Sequence, residues 1–135
     1  MPENIIEGEQ KIKIMLVDDD DFLVDMYSAK FANSGVGIVP ISSGAILLDK
    51  LKKGEVADLI LLDIVLPQMN GVEILEQMRR ENLGEGIPVV MLTNQNDEGD
   101  IEKTKKLNIS GYIVKASATP SEVVSTVLSI LKKDK

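Results

Sequence analysis

Four largely apolar runs in this chain end abruptly in polar residues. Ile14-Met15-Leu16-Val17 stops at Asp18-Asp19, Leu59-Ile60-Leu61-Leu62 at Asp63, Val89-Val90-Met91-Leu92 at Thr93, and Gly111-Tyr112-Ile113-Val114 at Lys115. Gathered in one place, three carboxylates would repel one another by about 3 kcal/mol per pair at about 5 Å and an effective dielectric of about 20. A bound dication or raised pKa values must relieve that repulsion. An all-oxygen donor set without His or Cys suits Mg²⁺ or Mn²⁺. One Lys and one Thr hydroxyl beside such a metal can hold an anion. Metal, lysine and hydroxyl together are equipment for phosphoryl transfer, with a nearby carboxylate as the natural nucleophile.

These residues need elements that bring them together. Continuous apolar runs of four residues read as strands buried on both faces, since a half-buried strand would alternate. Between the runs lie helical patterns. Phe22, Met26, Ala29 and Ala32 lead to Asn33-Ser34-Gly35, while Ser42-Ser43 offers an N-cap for a helix carrying Leu47, Leu48 and Leu51 and ending at Gly54. Pro67 and Asn70-Gly71 are turn chemistry ahead of Val72, Ile74, Leu75 and Met78. The segment from Asn94 to Asn108 is a polar helix with only Ile101 and Leu107 as large apolar residues, so it should pack loosely. Thr119-Pro120-Ser121-Glu122 supplies a cap, a first-turn Pro and a capping-box Glu before the stripe Val124, Val127, Leu128, Leu131. Val36 to Ile41 is one more short strand, with no charged tip.

Five strands alternating with five helices predict an α/β fold with a parallel sheet, right-handed crossovers and helices on both faces. In the flavodoxin-like order 2-1-3-4-5 the four polar-tipped strands are contiguous. Ligands of such sheets bind outside the carboxyl ends of the strands. The tips would therefore share one pocket. Met1 to Gln10 is polar and aperiodic and reads as a flexible tail, leaving 11–133 as a single domain.

Composition narrows the classes. A chain of 135 residues with 44% hydrophobic content is about one domain, with an aliphatic core because it holds only two Phe and two Tyr. A formal charge of −7 disfavours direct nucleic-acid or anionic-membrane binding. There is no Cys for disulfides or thiolate sites, and no His for general-base catalysis or phosphohistidine chemistry. No apolar run reaches the roughly 18 residues of a membrane span, and the first ten residues carry three Glu and no Lys or Arg. A soluble, cytoplasmic protein is the expectation.

At Val17-Asp18-Asp19, Leu62-Asp63 with Leu66-Pro67 and Asn70-Gly71, Leu92-Thr93-Asn94 and Tyr112-Ile113-Val114-Lys115, the sequence resembles the receiver domain of two-component response regulators. The likeness runs over essentially Ile12 to Leu131. The separations of 44 positions from Asp19 to Asp63, 30 from Asp63 to Thr93 and 52 from Asp63 to Lys115 agree with that family. The resemblance implies that Asp63 is the phosphoacceptor, taking its phosphoryl group from a histidine kinase or histidine phosphotransfer protein. It also implies that Asp19, Asp63 and the backbone carbonyl of Val65 bind Mg²⁺ directly, with Asp18 acting through water. Lys115 would neutralise the phosphoryl group, Thr93 would be the switch hydroxyl, and Tyr112 the aromatic that turns inward once Thr93 moves. Output would pass to a downstream protein on the face of the fourth helix, fifth strand and fifth helix. The protein would be a monomer or a weak phosphorylation-dependent dimer. It would not be an enzyme beyond catalysing its own phosphoryl acceptance and slow loss. With about 120 residues taken by the receiver, no output domain is expected.

The sequence departs from the family at one point: Lys115 is followed by Ala116 rather than by a proline in a cis peptide. A non-proline cis bond costs about 3 kcal/mol, so the loop is either trans or strained for the site's sake. Asp20 and Asp21 read mainly as a helix N-terminus. The rival reading is a small Mg²⁺-dependent phosphohydrolase with its nucleophile on the first strand, since Asp18 and Asp20 have D-x-D spacing. A degenerate scaffold that never takes phosphate is a third.

Overall fold

The computed structural model describes residues 12–94 and 98–133, so the tail assigned to Met1–Gln10 lies outside the described residues, as does Lys11. The strands are β1 (Ile12–Val17), β2 (Val36–Ile41), β3 (Leu59–Asp63), β4 (Val89–Thr93) and β5 (Gly111–Val114). They form one five-stranded sheet in the order β2-β1-β3-β4-β5 with every pairing parallel, as the alternation of runs and helical stripes predicts.

The continuous apolar runs follow from a sheet covered on both faces. Met15, Val17, Ile60, Leu62, Val89 and Met91 point to one side, where α2 (Gly44–Lys52) and α3 (Gly71–Arg80) cover them with Leu47, Leu51, Ile74, Leu75 and Met78. Ile14, Leu16, Leu59, Leu61, Val90 and Leu92 point to the other, against α1 (Asp21–Ala32) and α5 (Pro120–Lys133) with Val24, Phe31, Val123 and Val127.

The helix starts are sequence-coded. Asp20 caps α1 by accepting from the Phe22 and Leu23 amides, so Asp20 and Asp21 are the helix terminus they were expected to be. Ser43 caps α2. Asn70 and Glu73 close a reciprocal capping box on α3, and Thr119 and Glu122 close another on α5.

One boundary differs from the sequence reading. The polar helix expected over 94–108 ends earlier: α4 spans Glu98–Lys105, and 95–97 lie outside the described residues. β5 spans Gly111–Val114 as expected, and Lys115 at its tip opens a 3-10 turn, Lys115–Ser117. No cis peptide occurs among the described residues, which resolves the Lys115-Ala116 alternative in favour of trans.

The two outer strands differ. Pro40 of β2 is exposed. The Ile41 carbonyl accepts from the Asp18 amide, so by alternation the Pro40 nitrogen faces the open side of the sheet, where no ladder bond is lost. β5 on the opposite edge is four residues long and carries the partly exposed Tyr112.

Candidate functional site: an acidic pocket at the strand ends

The register of the sheet places the polar tips at one level. Val17 pairs with Ile41 and Leu62, Asp63 with Leu92, and Thr93 with Val114. Asp18 and Asp63 therefore leave adjacent strands side by side, and Lys115 leaves β5 two strands beyond β3. A carboxylate oxygen from each of Asp18, Asp19 and Asp63 lies within 4.8 Å of the others. Lys115 Nζ reaches across to Asp18 Oδ2 at 3.0 Å and Asp63 Oδ2 at 3.4 Å. A cavity of about 360 Å³ opens above them, with Val65, Leu66, Pro67 and Asn94 in its walls.

The carboxylates are not equivalent. Asp18 is buried and both its oxygens are engaged, Oδ1 by the Asp20 amide at 2.9 Å and Oδ2 by Lys115. Asp63 is also buried, yet its contacts are long: 3.3 Å from the Val65 amide and 3.4 Å from Lys115. Asp19 is exposed at the mouth. Burial raises the Asp63 carboxyl to about 6, Lys115 opposing the shift and Asp18 adding to it. For Lys115, burial pulls downward, but Asp63 and Asp18 outweigh it and the net shift is upward, so the ammonium stays charged. Three converging carboxylates are a hard-oxygen donor set, and the residues present fit a divalent cation such as Mg²⁺. Each carboxylate accepts one bond on each oxygen, but those on Asp18 are short, 2.9 and 3.0 Å, and those on Asp63 long, 3.3 and 3.4 Å, so Asp63 is the less tightly held of the two and the phosphohydrolase alternative, which needs Asp18 as nucleophile, is weakened.

Close packing holds the loop that follows Asp63. A Cβ on Gly71 would collide with the Asp63 carbonyl and come within 2.8 Å of Ile64 Cα, so only glycine lets α3 start against the strand end. The Gly71 amide donates to the Ile64 carbonyl at 2.7 Å.

Thr93 is buried at the end of β4 and does not line the cavity over Asp63. Tyr112 is 39% exposed, with the Lys105 ammonium 5.7 Å from the centre of its ring. Val65 is 60% exposed at the rim. Sequence reasoning did not foresee Tyr27. It is buried on α1 within electrostatic reach of Lys115, Asp18 and Asp63. A helix face can be read from periodicity, but not the strand tip it will overhang.

Comparison with known proteins bears on this arrangement. The sequence profile described as response regulator receiver domain matches residues 14–127. The chain is 33% identical over 123 residues to the alkaline phosphatase synthesis transcriptional regulatory protein PhoP of Bacillus subtilis, covering 90% of this chain and 49% of PhoP. It is 30% identical over 122 residues to the DNA-binding response regulator MtrA of Mycolicibacterium smegmatis, covering 90% of this chain and 51% of MtrA. The chain thus spans about half the length of these curated relatives. Among solved structures, a response regulator receiver domain protein (CheY-like) from Methanospirillum hungatei superposes with a TM-score of 0.81 at 24% identity, covering 91% of this chain and 95% of that one.

Proposed function

The chain belongs to the response regulator receiver family, and on that premise we propose that Asp63 is its phosphoacceptor, charged by a histidine kinase or histidine phosphotransfer protein. These 135 residues contain no histidine, so the phosphohistidine lies outside them. In the transfer, an Asp63 oxygen forms the new O–P bond as the N–P bond of the donor breaks. The bonding pair stays with the donor imidazole, which takes up a proton. Lys115, already bridging Asp18 and Asp63, moves its charge onto the phosphoryl oxygens. Mg²⁺, held by Asp19, Asp63 and the Val65 carbonyl with Asp18 through water, would supply the remaining charge neutralisation.

The observation that carries this reading is the convergence of the Lys115 amine with the Asp18, Asp19 and Asp63 carboxylates across three strands. Signal output follows from Thr93 moving toward the phosphoryl group and Tyr112 turning inward, which alters the α4-β5-α5 face for a protein partner. Such a protein accepts and slowly loses its own phosphoryl group rather than turning over a substrate.

Treatment with acetyl phosphate and Mg²⁺ followed by peptide mass spectrometry tests the assignment. One phosphoryl group on Asp63, abolished in Asp63→Asn, is expected. Label on Asp18 with multiple turnover would support a hydrolase instead, and no label at all would reject both.

A further inference from the structure

Beside the acceptor pocket lies a second cavity of about 500 Å³ between α1 and the loop from Lys115 to Pro120. Leu23, Met26, Ala116 and Ala118 make most of its wall apolar, while Tyr27, Asn94 and Lys115 bring polar groups to it. Leu23, Asn94 and Lys115 also line the acceptor pocket, so the two cavities share a boundary.

Two groups lining the second cavity are unspent. Tyr27 is 3% exposed, and its hydroxyl has no hydrogen-bond partner among the described residues. A buried hydroxyl without a partner costs about 1–3 kcal/mol, so natural sequences keep one only where something else meets it. Lys115 Nζ carries three protons and donates to Asp18 and Asp63 alone among the described residues. Burial holds the Tyr27 phenol above its ordinary pKa, Lys115 opposing and Asp18 and Asp63 adding, so the hydroxyl stays neutral and can accept as well as donate. A water between the hydroxyl, the third ammonium proton and Asn94 would have the two to four polar partners that a buried water requires.

We propose that Tyr27 is a positioning residue for Lys115: through one ordered water in this second cavity, its hydroxyl holds the ammonium from the α1 side. The amine is thereby fixed where a phosphoryl group on Asp63 meets it, and α1 becomes part of the acceptor machinery rather than only a cover for the sheet. This rests on the phosphoacceptor reading.

Tyr27→Phe tests it, because the ring stays packed and only the oxygen is lost. Two readouts are taken from the full chain: the initial rate of Asp63 labelling by acetyl phosphate in saturating Mg²⁺, and the ¹⁵N side-chain resonance and proton exchange of the Lys115 ammonium. Loss of one hydrogen bond worth about 1 kcal/mol corresponds to labelling slowed about fivefold. The ammonium resonance should shift and exchange faster in the same variant. An unchanged labelling rate, or a slowed rate with an unmoved ammonium resonance, overturns the proposal and leaves the phosphoacceptor reading standing. If wild-type protein takes no label on Asp63, both fall together.

Discussion

At Asp63 two demands pull against each other: enclosure that favours its neutral form, and the proposed role as phosphoacceptor, which needs the anion. Its carboxyl is raised to about 6, chiefly by burial, against about 3.9 for an unfolded aspartate. The folded state therefore binds this proton more tightly than the unfolded state does. The stability this group contributes is fully present below pH ~4 and is lost as pH rises through about 6. A shift of roughly two units corresponds to about 3 kcal/mol. In EDTA, urea unfolding at pH 4.5 and 7.5 should show the Asp63→Asn variant gaining on wild type by about 2 kcal/mol over that interval. A difference that stays flat with pH would contradict the burial account. The acidic tips were readable because buried strands cannot end in carboxylates without a reason, and Lys115 because its distance from Asp63 in the chain fits. Tyr27 was unreadable. Its position on α1 says which face is apolar, not that it ends within electrostatic reach of an amine from the turn after β5.

At the scale of elements, α4 has the least support. Ile101 and Thr104 are its buried residues among those described, and the Thr104 hydroxyl only donates back to the Ile101 carbonyl at 2.8 Å. The expectation of a loosely packed helix came from its sparse apolar residues, and the fold agrees. What holds its C-terminal end comes from elsewhere: Arg79, at the end of α3, donates from Nε to the Leu107 carbonyl at 2.8 Å and from Nη2 to the Asn108 carbonyl at 3.3 Å. A planar guanidinium presents two donors in a fixed fork that matches two adjacent carbonyls, whereas a flexible ammonium has no such preset geometry. Arg79→Ala should cost about 2 kcal/mol and raise hydrogen exchange in 104–110 while β1 and β3 stay protected, with Arg79→Lys recovering less than half. Uniform loss of protection across the sheet would show that the contact serves the whole core instead. No sequence pattern announces this tie, because a long side chain meeting main-chain carbonyls 28 and 29 residues away has no periodicity.

At the scale of the whole molecule, the fold class and strand order were legible because β3 and β4 are apolar and buried along their length and four of the helices, α1, α2, α3 and α5, begin with polar residues suited to a helix start. The molecule concentrates acid at one end of its sheet, on a chain that is already net negative by seven charges. Divalent cation should therefore stabilise it. At ten times the dissociation constant of Mg²⁺ the gain is about 1.4 kcal/mol, or roughly 2–6 °C in Tm. Calorimetry with and without millimolar Mg²⁺ measures this, and the gain should vanish in an Asp19→Asn, Asp63→Asn double variant. The proline on the outer rung of β2 has a different sort of outcome. An incoming β-segment laid along that border would find no amide hydrogen at position 40 and would miss a link in the zipper. That flank therefore resists being extended by another polypeptide, and any association along it has to be built from helices and side chains.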